Sequence, residues 1–420
     1  MDKTKSFDIS KQAVWQAYLK VRANAGAAGV DGQSLEQFEQ DLKGNLYKLW
    51  NRLSSGSYFP SPVMLVEIPK KDGGVRPLGV PTVADRIAQT VVAQELEKVV
   101  EPIFDDDSYG YRPGRSAHDA LAICRQRCWQ FEWVVDLDVK SFFDSVDHQL
   151  LLKAVAHHTD LPWVRLYVQR WLTAPLQQSD GSLIGRDRGT PQGSAISPVL
   201  ANLYLHYALD VWMRREFPSV PFERYADDAI VHCTSQAQAE QVRGAIAVRL
   251  AECGLELHPA KTRIVYCKQS GRRGSHEHES FDFLGYTFRP RKAINKTGQV
   301  FVSFSPAVST HAAKAMRQEI RAWRLHHRTT QSVEDLARAV NPIMRGWINY
   351  YGRFHRSTLS KVVLSHLNEY LIRWAMWKYK RMRRSPRKAA TFLARITRSR
   401  PDLFAHWRLA SIKAGATGAG

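Results

Sequence analysis

The chain of 420 residues carries 60 Lys and Arg against 40 Asp and Glu, a formal net charge of +20, and is 44% hydrophobic. This is enough for two or three domains around a large core, and no apolar run approaches transmembrane length. The five cysteines, Cys124, Cys128, Cys233, Cys253 and Cys267, form no paired Cys-x-x-Cys sets, which argues against a zinc module. The odd count and the lack of a secretory signal fit a reducing cytoplasm.

The charge is unevenly spread. Residues 311–420 hold 23 Lys and Arg against 5 Asp and Glu, which leaves 37 against 35 in residues 1–310. A cationic region of that size, with Trp and Tyr mixed into it, points to a polyanion such as nucleic acid.

In chain order, residues 7–53 read as helical, interrupted by the glycine-rich loop from Asn24 to Ser34. That loop fits either close approach to a backbone phosphate or a plain helix connection. Residues 58–80 read as two strands around a turn at Lys70–Gly74. With Lys70 and Arg76, the hairpin is either a grip for a triphosphate or a solvated tip. Asp85 to Phe104 is a helix with one apolar side, Ile87, Val91, Leu96 and Val100 among it. Ser108 to Ser116 interleaves Arg112 and Arg115 with Tyr, Gly and Pro, a mixture suited to phosphates and bases. A helix from His118 to Trp129 leads into an apolar β run at 134–139 that contains Asp136 and Asp138.

A mostly helical stretch follows to about residue 175. Gly189 to Pro198 presents Gln192 and opens a helix from Val199 to Trp212, as a substrate loop or a structural turn. Phe222, Tyr225, Ile230 and Val231 read as two short strands with Asp227 and Asp228 at the turn between them. Either this is an ordinary surface turn, since Asp is a common turn residue, or a bound cation is the reason to build a tip of two adjacent, mutually repelling anions. Residues 235–253 are a helix ending at Gly254. Ser270–Ser280 is a polar loop, Phe281–Tyr286 a β segment and Arg289–Gly298 a basic turn. A helical domain begins near Ser309 and includes Gly346-Trp347. Its third helix ends in Arg373, Lys378, Lys380, Arg381, Arg383 and Arg384.

Asp138 beside the Asp227–Asp228 pair would form a three-carboxylate, all-oxygen site. Hard oxygen ligands with open positions suit Mg²⁺ holding substrate phosphates. Spacing alone leaves Asp136 as a rival to Asp138.

Seven motifs together give a family likeness. They are the glycine loop at 24–32, Ile68-Pro69-Lys70 with Arg76, Tyr111 to Arg115, Asp138 to Asp144, Thr190 to Pro198, Tyr225 to Asp228, and Phe283-Leu284-Gly285-Tyr286. Nearly the full chain resembles a bacterial group II intron reverse transcriptase, or maturase. The resemblance implies an α+β, right-hand polymerase architecture with fingers and palm of reverse transcriptase type, then an α-helical thumb. The expected divisions are an N-terminal extension (1–55), fingers (56–135), palm (136–305), thumb or maturase domain (306–380) and a basic DNA-binding tail (381–420).

The resemblance further implies that Asp138, Asp227, Asp228 and the Val139 carbonyl hold two Mg²⁺ ions, with Mn²⁺ as a substitute. Phe143 is the expected steric gate against the 2′-hydroxyl. Lys70, Arg76 and Gln192 bind the nucleotide, and Lys261 donates a proton to pyrophosphate. Arg112 and Arg115 contact the template, and Arg373, Lys380, Arg383 and Arg384 bind RNA. The implied activity is RNA-directed DNA synthesis, with splicing assistance and mobility. The implied partners are intron RNA, an RNA template with a DNA primer, target DNA and dNTPs. The implied setting is a cytoplasmic ribonucleoprotein containing one copy of the chain. Larger family members often carry a C-terminal endonuclease with paired Cys and His. None is visible up to residue 420, so mobility is expected to need a nick or fork primer made elsewhere. The alternatives are a mainly RNA-binding splicing cofactor, or a reverse transcriptase recruited to DNA repair or phage defence.

Overall fold

The computed structural model describes residues 6–69, 74–295 and 297–411. The chain divides into two compact units, Met1–Ser116 with Val135–Arg263, and Ala117–Val134 with Ile264–Gly420. Among the described residues no helix is long and apolar enough to cross a membrane. All five cysteines are buried, and none forms a disulfide.

The first unit opens with α1 (Lys11–Asn24), α2 (Leu35–Gln40) and α3 (Leu42–Ser55). Short polar caps start them: the Ser10 hydroxyl accepts from the Ala13 nitrogen, and Ser34 with Gln37 closes a capping box. The hairpin β1 (Val63–Pro69) and β2 (Val75–Val80) follows, then α4 (Val83–Val100), against which α1 packs. The helix expected from Asp85 to Phe104 thus begins and ends slightly earlier.

After α5 (Ala117–Gln130) and β3 (Trp133–Leu137), the first unit continues with α6 (Phe142–Ser145), α7 (His148–His158) and α8 (Pro162–Thr173). The two-residue strands β4 (Leu176–Gln177) and β5 (Leu183–Ile184) extend the β1–β2 hairpin into a sheet of order β2-β1-β4-β5. The helix expected from Val199 to Trp212 is in fact three pieces. These are α9 (Ser197–Leu205), a π-helical turn at His206–Asp210, and α10 (Val211–Glu216). Then come β6 (Phe222–Tyr225), β7 (Asp228–Cys233) and α11 (Gln236–Glu252). Strands β6, β7 and β3 lie side by side in that order. Ala229 to Cys233 is buried without interruption, the pattern of a strand covered on both faces. The chain passes between the units just before α5, within β3 and again at β8 (Arg263–Tyr266).

The second unit holds α5, a sheet of order β11-β10-β9, and the C-terminal helices. Its strands are β9 (Phe281–Phe283), β10 (Tyr286–Ile294) and β11 (Val300–Val308). The basic turn expected at 289–298 is mostly strand. Arg289 and Arg291 sit opposite Ser305 and Ser303 in the β10–β11 ladder. The turn itself comes later, where the Asn295 side chain accepts from the Thr297 and Gln299 nitrogens and Gly298 takes a φ of 84°.

Helices α12 (Thr310–Ala322), α13 (Val333–Tyr351), α14 (Arg356–Leu359), α15 (Ser365–Lys378) and α16 (Pro386–Ser399) form one helical core. It joins Ile320, Leu336, Met344, Leu371 and Trp374 to Leu393, Phe404 and Trp407. The described part of the expected tail at 381–420 is therefore no separate arm. Its apolar residues complete the core of the helices before it, and its cations lie on the outer face. Accordingly Trp407→Ala, at a side chain only 1% exposed, is expected to lower stability by about 3–5 kcal/mol. Chemical denaturation measures this, and a loss under 1 kcal/mol would mean the segment does not belong to the core.

Candidate active site

The β6–β7 hairpin reverses in two residues, Ala226 and Asp227, between the paired Tyr225 and Asp228. Ala226 has φ 58°, left-handed backbone that costs a residue with a β-carbon about 1–2 kcal/mol. The turn is held from below. Arg224, wholly buried, donates to both carboxylate oxygens of the equally buried Asp210, at 2.8 and 2.5 Å. Its remaining contacts are the Asn202 side-chain oxygen at 3.1 Å and the Ala226 carbonyl at 2.9 Å. Asn202 donates in turn to the Gly110 carbonyl at 2.7 Å. A β-carbon on Gly110 would lie 2.3 Å from the Ala226 nitrogen, so only glycine fits against the turn.

Asp138 follows directly on β3. Its backbone is gripped by the 256–262 segment: the His258 nitrogen donates to the Asp138 carbonyl at 2.7 Å, and the Asp138 nitrogen donates to Thr262 Oγ1 at 3.3 Å. Val139 bridges Leu257, and the Lys140 nitrogen donates to the Glu256 carbonyl. Next, Ser141 takes φ 46° and starts α6, in which Phe142 is buried and packs its ring 5.2 Å from that of Phe143.

The 189–198 loop is strapped to both sides of this region. The Thr190 nitrogen donates to the Phe143 carbonyl at 2.7 Å. A β-carbon on Gly189 would meet the Phe143 and Asp144 carbonyls at 2.9 Å. On the other side, the Gly79 nitrogen of β2 donates to the Gln192 carbonyl at 2.7 Å.

These pieces enclose a cavity of about 870 Å³ lying wholly in the first unit. Asp138, Asp227, Asp228, Val139, Arg76, Phe143, Gln192 and Lys261 all line it. Asp136 does not, so the cavity favours Asp138 of the two rivals. Lys70 lies outside the described residues. Arg373, Lys380, Arg383 and Arg384 are exposed in the second unit.

Arg112 requires a correction. Its guanidinium is buried, donating to Glu101 at 2.9 Å and to the carbonyls of Asp105 and Ser108 at 2.5 and 2.7 Å. It holds its own loop together and is not presented to a template. Arg115 is engaged with Asp106 at the surface. The residue of that motif that reaches the cavity is Tyr111, more than half exposed at φ 59°. His258, Ser194 and Ser197 also line it without having been expected. The brace of Arg224, Asp210 and Asn202 was missed too. Its one sequence signal is a charged pair, Glu223-Arg224, set between Phe222 and Tyr225 in a short strand.

The electrostatics fit a cation site. Removal from water, then the neighbouring Asp227 and Asp138 carboxylates, push Asp228 up to about 7, although its side chain still opens to the cavity. Asp227 is raised as well, by burial first and then by Asp138, with Arg76 and Arg224 opposing. Lys261 Nζ stands 3.6 Å from Asp138 Oδ2. Crowded carboxylates that would otherwise hold a proton form an oxygen donor set suited to a hard divalent ion.

Residues 68–288 match the reverse transcriptase (RNA-dependent DNA polymerase) family, and residues 313–392 match the group II intron, maturase-specific domain. Protein YkfC of Escherichia coli is 32% identical over 300 residues, covering 62% of this chain and 76% of that protein. The group II intron-encoded protein LtrA of Lactococcus lactis is 34% identical over 193 residues, 45% of this chain and 32% of LtrA. An uncharacterized 91 kDa protein in the cob intron of Schizosaccharomyces pombe is 25% identical, covering 84% of this chain and 51% of its own length. The chain thus spans about three quarters of YkfC, half of the yeast protein and a third of LtrA.

Two outcomes follow from the geometry. Asp210→Ala leaves Arg224 charged and buried without its partner, and is expected to cost about 3–5 kcal/mol by urea denaturation. The pair replacement Asp210→Leu/Arg224→Met should recover part of that loss. A second outcome concerns pH. Because Asp228 sits near 7 when folded and near its ordinary 3.8 when unfolded, the unfolded chain gives up this proton more readily. The contribution of Asp228 to stability therefore falls as pH rises from about 4 to 7. In chelator-treated protein, Asp228→Asn should melt above wild type at pH 7–8, with the gap closing by pH 4. Equal melting at pH 8 would contradict the crowding.

Proposed function

We propose, taking as premise that the chain belongs to the reverse transcriptase (RNA-dependent DNA polymerase) family, that the cavity around Asp138, Asp227 and Asp228 adds dNTPs to a DNA primer on an RNA template. The observation that carries this reading is the meeting, in one cavity, of Asp138 with a hairpin 89 residues further along the chain, close enough that the Asp138 charge raises both Asp227 and Asp228.

Asp138, Asp227, Asp228 and the Val139 carbonyl are proposed to hold the family's divalent ions, two Mg²⁺ replaceable by Mn²⁺. Bound there, such ions would polarise the primer hydroxyl and offset charge on the triphosphate. Arg76 would neutralise phosphate oxygens, and Gln192, on a loop strapped to β2, would border the base or sugar. Phe143, wedged by buried Phe142 and by the 189–190 strap, would fill the space a 2′-hydroxyl needs. Lys261 would leave Asp138 to protonate departing pyrophosphate. The template supplies base choice by pairing, so the protein needs only backbone shape.

Within the second unit, the maturase-specific match supports binding of group II intron RNA, with splicing and mobility as its consequences. Exposed Arg373, Lys380, Arg383 and Arg384 are proposed contacts for that RNA. The proposed setting is a cytoplasmic ribonucleoprotein, in keeping with five cysteines that form no disulfide. The finer divisions into N-terminal extension, fingers, palm and thumb are likewise proposals for this chain.

Primer extension on RNA tests the site. Asp227→Ala/Asp228→Ala should reduce synthesis to background while leaving RNA binding intact, and equal synthesis by both proteins would overturn it. Phe143→Val should raise the relative use of rNTPs by about 10- to 200-fold. Unchanged sugar discrimination would remove Phe143 from that role.

A further inference from the structure

A second cavity, of about 570 Å³, lies entirely within the second unit. It is lined from α5 by Arg125 and Trp129, from the β10–β11 hairpin by Ile294 and Phe301, and from the 353–355 segment by Arg353 and His355, among others. Among the described residues no carboxylate lines it. The Arg125 guanidinium lies 4.5 Å over the Trp129 ring and 5.9 Å from that of Phe354. Its Nε is buried without a hydrogen-bond partner.

The frame around these groups is fixed. Trp129 donates its indole N–H to the Phe304 carbonyl at 2.9 Å, and its own carbonyl accepts from Gln269 and Arg272. The hydroxyls of Ser303 and Ser305 stand 2.9 Å apart on the cavity wall. Burial, and then Arg291, Arg125 and Arg289, hold the His355 imidazole below its usual range, which marks the surroundings as cationic.

Cations without acids attract an anion, but a simple cation patch does not need half-exposed aromatic faces. Trp129 and Phe301 are each 38% exposed. Fixed rings beside guanidinium groups match a phosphate joined to a flat base. A volume of this size suits one nucleotide turned out of a strand. The base must be unpaired to stack, so a duplex would not serve.

We propose that this cavity holds one nucleotide of a single-stranded nucleic acid, with its phosphate between Arg125 and Arg353 and its base on Trp129 or Phe301. The site does not depend on chemistry at the aspartate cluster. RNA and DNA share the required groups.

The test uses the full chain carrying Asp227→Ala/Asp228→Ala, so that binding is read without synthesis. Fluorescent single-stranded RNA, single-stranded DNA of the same sequence and the matching duplex are titrated over a range of salt. Adding Arg125→Gln/Arg353→Gln should lower the slope of log affinity against log salt by about 0.7 for the single strands, the worth of the one phosphate held between them. Phe301→Ala, at a half-exposed edge where folding is not at stake, should weaken single-strand binding roughly tenfold. Ultraviolet crosslinking of bromouridine RNA should label the Trp129 or Phe301 peptide. A response to RNA alone or to both strands supports the site and identifies its source. An unchanged slope with intact melting overturns it. So does an equal loss for duplex, or displacement of the RNA by an acidic peptide at matched charge. Failure here would leave primer extension by the wild type untouched, so the two readings fail separately.

Discussion

The acidic hairpin depends on a buried ion pair. Arg224 and Asp210 are both fully withdrawn from water, and each would be expensive there alone. Together with Asn202 they satisfy one another and aim a guanidinium N–H at the carbonyl of Ala226. A hydrophobic pair of similar volume could fill the space, but it could not grip that carbonyl. The geometry therefore ties a polar network to the position of a turn, rather than to stability alone. It also supplies fixed positive charge beneath carboxylates that repel one another, and Arg224 opposes the rise in the Asp227 pKa.

Much of this region was legible in the sequence because its signals are local. An apolar run broken by an Asp pair is a hairpin whatever surrounds it, and β6 and β7 follow it closely. Loops rich in glycine announce close backbone approach, as Gly189 and Gly110 show. The convergence of Asp138 with the hairpin came from family likeness, since no local rule pairs residues that far apart.

Illegibility arose where tertiary context decides a side chain's task. In the 108–116 motif, both arginines looked available to phosphate. Yet the carbonyls of Asp105 and Ser108 and the Glu101 carboxylate capture Arg112, leaving Tyr111 to face the cavity. The strand at 286–294 was hidden because its cations suggested a solvated turn, although alternate positions still enter a ladder. The C-terminal segment was read by charge. Its sparse Phe404 and Trp407, both nearly inaccessible, decide that it folds into the core. The tie between α5 and the second unit is likewise set by packing against β11, not by chain order.

The π turn at His206–Asp210 gives the helix one residue more than a regular α-helix would use over the same span. That surplus residue sets the rotational phase of everything after it. Shortening the turn by one residue would swing the following side chains by about 100° and carry Asp210 off the bearing that meets Arg224. Asp210 apart, this part of the helix therefore tolerates changes of residue identity more readily than changes of length, and insertions or deletions here would be read out at the hairpin through the Asp210–Arg224 contact.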